Sequence, residues 1–284
     1  MKWRGKRTSG NIQDRRRGGG MGRAGGIGGL GMIVVILVGL FFGVDLTPFL
    51  GGGGVGGNQV TTSQSADSGQ IDDEAEEFVS VVLRQTEEVW TDIFAASGYQ
   101  YEEPTLVLFT GATSSACGAA QSAMGPFYCP GDRQVYLDMD FFRVMEQELG
   151  SQGDFAKAYV VAHEVGHHVQ NLTGLLGEVN QMRRSVSQAE SNALSVRVEL
   201  QADCYSGVWA RHVVDDFQLT EEDIRSALDT AARIGDDALQ RSMNGVVVPD
   251  SFTHGTSEQR QRWFDTGFRT GDEDQCDTFS TNQL

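Results

Sequence analysis

Residues 158–170, AYVVAHEVGHHVQ, constrain the fold of this chain more than any other segment. They contain the pattern H-E-x-x-H as His163, Glu164 and His167. Positions four apart share one face of an α-helix, so both imidazoles can reach a single ion. The residues before the motif are apolar, which favours a buried helix over a wet one with two unrelated histidines. We therefore predict a buried helix over residues 155–171 that carries two zinc ligands, with Glu164 as general base.

A third zinc ligand is expected from a second helix, predicted over residues 190–212. Its VELQADC segment places Glu199 and Asp203 four positions apart on one face. Catalytic zinc usually takes three protein ligands and keeps one position open. We predict Glu199 as the third ligand, with Asp203 accepting the free ring N–H of a ligand histidine. The alternative is an ordinary exposed acidic pair, and the apolar neighbours of the two residues favour an inward face.

Two further candidates lie in SFTHGTSEQRQRWF, residues 251–264. His254 and Arg260 stand on either side of a predicted helix start at Thr256 or Ser257. Either side chain can face the oxyanion that develops when a peptide carbonyl is hydrated. A histidine that caps a turn and an arginine in a surface ion pair explain the same spacing equally well.

Charge is distributed unevenly along the chain. Residues 1–26 carry eight Lys or Arg and one Asp, although the net charge of the whole chain is −17. Residues 27–44, IGGLGMIVVILVGLFFGV, contain no charge and just reach the length that spans a bilayer. The positive-inside rule predicts a cytoplasmic leader, a single transmembrane helix, and an acidic domain in the periplasm or at the cell surface. A cleaved signal peptide is the alternative, but no A-x-A-like site follows immediately.

These features divide the chain into four predicted segments. They are a basic leader over residues 1–26, a transmembrane helix over 27–44, a Gly/Ser-rich linker over 45–71 and a metallopeptidase domain over 72–284. The acidity of the domain would repel phosphate backbones, which argues against a nucleic-acid partner.

The predicted domain is α+β, mainly helical with a small β-sheet. Apolar periodicity and capping signals predict helices over residues 72–96, 155–171, 190–212 and 220–234, and a last helix through Trp263. Short apolar or alternating runs predict strands at residues 105–110 and 134–139, separated by a loop over 111–131.

The four cysteines fit two disulfides in an exported domain. None has C-x-x-C spacing, which argues against a cysteine zinc site. The short loop between Cys117 and Cys129 favours that pair and leaves Cys204 with Cys276, although sequence alone does not fix the connectivity.

Four segments together resemble the YpfJ-like neutral zinc metallopeptidase family: HEVGHHVQ, CGAAQSAMGPFYCP, ALSVRVELQADCYSGVW and VVPDSFTHGTSEQRQRWF. The N-terminal MKWRGKRTSGNIQDRR is also similar to the start of that family. More distantly, H-E-x-x-H followed by E-x-x-x-D is similar to the HtpX-type and CAAX-prenyl-protease peptidases. That similarity implies a zincin-like fold, with Glu199 as zinc ligand, Asp203 beside it, and His254 and Arg260 binding the transition state.

The sequence thus predicts a membrane-anchored zinc metalloendopeptidase that holds one Zn²⁺ per chain and acts on a protein or peptide substrate. Glu164 would take a proton from the attacking water and pass it to the leaving amine. The strand at residues 134–138 would pair with an extended substrate as an added edge strand. Two alternatives stay open: a non-catalytic tethered adaptor that keeps zinc for stability, and a zinc amidase that acts on cell-wall peptides.

Overall fold

The computed structural model describes residues 1–16, 74–121, 125–147, 150–151 and 153–284. The predicted transmembrane helix at residues 27–44 and the linker at 45–71 lie outside these ranges. Among the residues described, no helix combines the length and the apolar character that a membrane crossing requires.

A four-stranded sheet forms one layer of the domain, in the order β1-β2-β6-β5. Its strands are β1 (Ile12–Asp14), β2 (Thr105–Phe109), β5 (Phe127–Cys129) and β6 (Gln134–Asp138). The first three in spatial order run parallel, and β5 runs antiparallel to β6. The predicted strands β2 and β6 are confirmed, but β6 lies between two partners and both of its backbone edges are paired. The prediction that β6 accepts a substrate strand is therefore wrong.

The segment predicted as a loop, residues 111–131, contains three short strands. Besides β5 it holds a hairpin of β3 (Ala112–Ser115) and β4 (Gly118–Gln121). Strands β3 and β4 are built mostly from Ala, Ser and Gly, and β5 has only three residues, so none of them shows the apolar alternation that predicts a strand.

Helices make up most of the described domain, which confirms the mainly helical α+β class. They are α1 (Glu74–Ala96), α2 (Asp140–Gln147), α3 (Asp154–Leu172), α4 (Leu175–Arg183), α5 (Gln188–His212), α6 (Val214–Phe217), α7 (Glu221–Arg233), α8 (Asp236–Asn244) and α9 (Ser257–Thr270). The five longest of these match predicted helices. Capping boxes begin α5, α7 and α9, each with a side chain that accepts an otherwise unpaired backbone N–H.

Helix α3, which carries the H-E-x-x-H pattern, is central to the core. It packs against the sheet and against α1, α5 and α7. Phe155 stacks on Trp209 of α5 with ring centroids 5.9 Å apart, and Val165 is fully buried. Burying each such side chain contributes about 1.5–3 kcal/mol, so tertiary packing fixes the position of this helix.

Helices α5 and α9 touch backbone to backbone at two glycines. A Cβ added to Gly207 would lie 2.1 Å from the carbonyl oxygen of Phe264. A Cβ added to Gly267 would lie 1.9 Å from the carbonyl oxygen of Cys204. Glycine is therefore the residue that permits this close approach.

The N-terminal segment, residues 1–16, is an integral part of the folded domain. Its strand β1 extends the sheet beside β2. Trp3 is buried in the core, and its Nε1 donates a hydrogen bond to Asp154 at 2.8 Å. The terminal ammonium group of Met1 pairs with Asp223 at 2.9 Å.

The basic side chains of this segment pair with the acidic helix α1. The pairs are Arg4 with Glu74, Arg7 with Glu88 and Arg16 with Glu76. Part of the positive charge of the leader is thus paired with acidic side chains of α1 in the same chain.

This packing gives the basic leader a second role. Residues 1–16 supply a strand and a core side chain to the domain, and three of their arginines form ion pairs with α1. The location of the domain relative to a membrane stays a prediction, and this packing places the leader and the domain together.

Both predicted disulfides are present. Cys117 bonds to Cys129, beside the small hairpin. Cys204, on α5, bonds to Cys276 in a short 3-10 turn near the C-terminus. The second disulfide fastens the C-terminal tail to the helix that carries Glu199.

Candidate metal centre

Helices α3 and α5 bring together the three residues predicted as zinc ligands. The Nε2 atoms of His163 and His167 lie 3.1 Å and 3.5 Å from Oε2 of Glu199. The three ligand atoms all lie within 4.8 Å of one another. Tetrahedral zinc with bonds of about 2.0–2.1 Å separates its ligand atoms by about 3.3 Å. Two imidazoles and one carboxylate at these distances fit a zinc ion.

Asp203 orients His163 from the side opposite Glu199. Its Oδ1 lies 2.9 Å from Nδ1 of His163, so the ring N–H points to Asp203 and Nε2 points to the ligand cluster. Burial by itself lowers the pKa of His163, but Asp203 and Glu199 raise it to about 10. Zinc binds the neutral ring, so protons compete with zinc for His163.

Arg260 is bound to Asp203, the carboxylate that orients His163. Its guanidinium donates to both oxygens of Asp203 at 2.8 Å and 2.9 Å, and further to Tyr159 and to the carbonyl of Ile234. The side chain is 3% exposed. Arg260 thus neutralises Asp203, and its predicted part in binding the transition state stays a prediction.

Tyr159 is a member of this group that the sequence analysis missed. Its hydroxyl donates to Oδ1 of Asp203 and is fully buried. Its position four residues before His163, on the same face of α3, was the available signal.

Burial of the Asp203–Arg260 pair predicts a loss of stability in acid. Burial raises the pKa of Asp203, but Arg260 and His163 outweigh it and lower the pKa from 3.8 to about 2. Because the pKa of Asp203 is lower in the folded state than in the unfolded state, its ionisation stabilises the fold at pH values above the unfolded-state pKa. This stabilisation, about 2 kcal/mol, is lost as the pH falls toward 2. We expect the difference in unfolding free energy between the wild type and Asp203→Asn to shrink by that amount from about pH 5 to pH 2. Chemical denaturation at several pH values measures it, and a constant difference would contradict the assignment.

Glu164 is buried beside the ligands, at 8% exposure. Burial raises its pKa, and the nearby His167 and His163 offset only part of that rise. A carboxylate whose pKa is shifted toward neutrality is suited both to accept and to return a proton.

His254 lies in the loop between α8 and α9, close to Glu199. An added Cβ on the adjacent Gly255 would lie 3.2 Å from the side chains of Val196 and Leu200, which flank Glu199 on α5. Burial raises the pKa of Glu199, but His167 and His254 are the two strongest charges that lower it. Of the two predicted oxyanion groups, His254 lies in the loop next to Glu199 and Arg260 is bound to Asp203, and the role of either in the reaction stays a prediction.

Asp236 holds this loop and was not found from the sequence. Its Oδ2 accepts the backbone N–H groups of Thr253, His254 and Gly255 at 2.8, 2.6 and 3.0 Å. Its Oδ1 lies 3.3 Å from Nδ1 of His254. No local motif relates Asp236 to a loop so far along the chain, so only the tertiary structure shows this contact.

Comparison with known proteins identifies the family. A sequence profile of the family described as "putative neutral zinc metallopeptidase" matches residues 1–279. The chain belongs to this family. The match extends through the N-terminal segment, the ligand helices and the His254 loop, and membership of the zinc metallopeptidase family establishes Zn²⁺ as the cofactor that the His163, His167 and Glu199 cluster fits.

Relatives in this family span distant bacteria. "Uncharacterized protein YpfJ" of Escherichia coli is 49% identical over 98% of this chain and 99% of its own length. "Uncharacterized protein Rv2575" of Mycobacterium tuberculosis is 46% identical over 65% of each chain. No solved structure matches the chain.

Proposed function

We propose that this member of the zinc metallopeptidase family is a metalloendopeptidase that hydrolyses bonds within protein or peptide substrates. The observation that carries the proposal is the position of Glu164, buried next to a His–His–Glu ligand set. A zinc site that only stabilises the fold has no use for a carboxylate base at that position.

The chemistry follows from the residues around the cluster. Zinc held by His163, His167 and Glu199 would supply Lewis acidity, which polarises a carbonyl and makes water a nucleophile near neutral pH. Glu164 accepts the proton of the attacking water at its carboxylate and returns it to the leaving nitrogen.

His254 is proposed to stabilise the oxyanion. Asp236 holds the Nδ1 side of its ring, which directs Nε2 to the opposite side. A hydrogen-bond donor that is already in place need not be reoriented when charge develops on the substrate, so no reorganisation energy is required at that step.

The compartment is also a proposal. Two disulfides support a domain that acts outside the cytoplasm, because such bonds persist in oxidising compartments. Membrane association of residues 27–44 stays a prediction, and residues 1–16 would then lie on the same side of the membrane as the domain.

The proposal is tested by removing and restoring zinc. We expect the purified full chain to cleave casein or a diverse peptide library, to lose this activity with a chelator, and to regain it with one equivalent of zinc. Glu199→Ala should bind zinc too weakly to regain activity, since two histidines alone hold the ion poorly. Glu178→Ala, which removes an exposed carboxylate on α4, is the matched control.

The alternatives predict other outcomes of the same assay. Stoichiometric zinc with no cleavage of any library member would favour the tethered adaptor. Hydrolysis confined to cell-wall peptides would favour the amidase.

A further inference from the structure

The second ligand histidine, His167, is held by a chain of buried amides. Its Nδ1 lies 2.8 Å from Oε1 of Gln170, one turn further along α3. Nε2 of Gln170 donates to the carbonyl of Val198 at 2.8 Å and to Oε1 of Gln201 at 3.0 Å. Nε2 of Gln201 donates in turn to the carbonyl of Cys276 at 3.1 Å. The chain of contacts therefore runs from the zinc site to the Cys204–Cys276 disulfide.

The orientation of both amides is fixed by their partners. A backbone carbonyl only accepts hydrogen bonds, so the amide groups that face Val198 and Cys276 must be NH₂. The oxygen of Gln201 is then left to accept from Gln170, and the oxygen of Gln170 is left to face His167. The glutamine side chains are buried, with Gln170 fully enclosed, so water does not compete for these bonds.

This orientation selects one tautomer of His167. Because Oε1 of Gln170 can only accept, Nδ1 of the ring must carry the proton. The lone pair is then on Nε2, the atom that lies 3.5 Å from Glu199. The two ligand histidines are thus held differently, one by a carboxylate and the other by a neutral amide.

The far end of the chain is held by a covalent bond. The Cys276 carbonyl can keep its place under Gln201 because the disulfide fixes this turn to α5. Gln170 also joins the two ligand helices, since Val198 precedes Glu199 on α5. Movement of the C-terminal turn would therefore reach His167 through three hydrogen bonds.

We propose that Gln170 and Gln201 are positioning residues for zinc and that they couple zinc affinity to the Cys204–Cys276 disulfide. The proposal rests on the metal centre of the proposed function and adds that reduction of this disulfide would weaken zinc binding there. It needs only the metal centre, so zinc affinity tests it whether or not the protein cleaves peptides.

The first test changes the amide next to the ligand. Gln170→Leu keeps the volume but removes the acceptor, and we expect zinc to bind about 10- to 100-fold more weakly in competition with a chromophoric chelator. Gln170→Glu restores an acceptor oxygen and should recover at least part of that loss. Gln85→Leu, a buried glutamine on α1 that bonds Glu88, should leave zinc affinity unchanged. Equal zinc affinity of Gln170→Leu and the wild type would overturn the proposal.

The second test is a double-mutant cycle between Gln201→Leu and Cys204→Ser/Cys276→Ser. Removing the disulfide should weaken zinc binding about tenfold in the wild type but less than about twofold in Gln201→Leu, because the connection is already cut. Additive losses would show that the disulfide acts by another route and would overturn the coupling.

Removing the other disulfide, with Cys117→Ser/Cys129→Ser, is the control. Circular dichroism checks folding, and if the Cys204 variant does not fold, the cycle is run by reducing the folded protein and Gln201→Leu with a phosphine.

Discussion

Glu164→Gln is expected to keep its zinc and to lose about 100- to 10,000-fold in kcat for peptide hydrolysis. The amide has nearly the shape of the carboxylate but cannot accept the proton of the attacking water. His163, His167 and Glu199 are unchanged in this variant, so the ion stays bound. Initial rates on a cleaved peptide, with metal content measured on the same sample, give both quantities.

Two further variants sharpen this experiment. His254→Ala should also retain zinc and lose about 100-fold in kcat with little change in KM, because the proposed contact forms only in the transition state. Glu178→Ala should match the wild type. Unchanged turnover by Glu164→Gln would refute the assignment of the base, whatever the family relationship implies.

Removing residues 1–16 is expected to unfold the domain, even though this segment lies far in sequence from every proposed site residue. The deletion takes Trp3 out of the core and strand β1 off the sheet. It also removes Arg16 from the buried Glu76, and Ser9 and Asn11 from the buried Glu87. Removing one partner of a buried ion pair costs about 3–5 kcal/mol, and a whole domain is stable by only about 5–15 kcal/mol.

The comparison is between the full chain and a chain that starts at residue 17, followed by thermal and urea unfolding. Trp3→Ala isolates the contribution of the buried Trp3 side chain and should lower the unfolding free energy of the domain by about 3–5 kcal/mol. Lys2→Ala, at an exposed neighbouring position, should have little effect. A shortened chain that melts at the same temperature as the full one would show that the N-terminal segment is only an accessory.

Regular periodicity explains why the long helices were predictable. In α1 the apolar residues Phe78, Val82, Val89 and Ile93 recur at helical spacing, and the capping residue Thr220 marks the start of α7. Strand β1 has three residues within a basic segment, and its place in the sheet is decided by β2, which lies far along the chain. Pairing of that kind leaves no local pattern.

The metal site shows the same limit. Four-residue spacing predicted His163 and His167 on one helix and Glu199 and Asp203 on another, because residues four apart share a helix face. Spacing could not tell that Arg260 pairs with Asp203, since that depends on how α9 crosses α5. Gln170 and Asp236 were missed for the same reason: their partners lie on other elements.

The glycine contact between α5 and α9 has a consequence for the metal centre. Gly207 lies one turn after Asp203, and Gly267 lies two turns after Arg260, so the tight crossing sets the depth at which the guanidinium reaches the carboxylate. A methyl group at either glycine would wedge the helices apart and loosen the support of His163. Two residues without any side chain thereby control the geometry of the metal centre, and a change there would weaken zinc binding while every ligand stayed in the sequence.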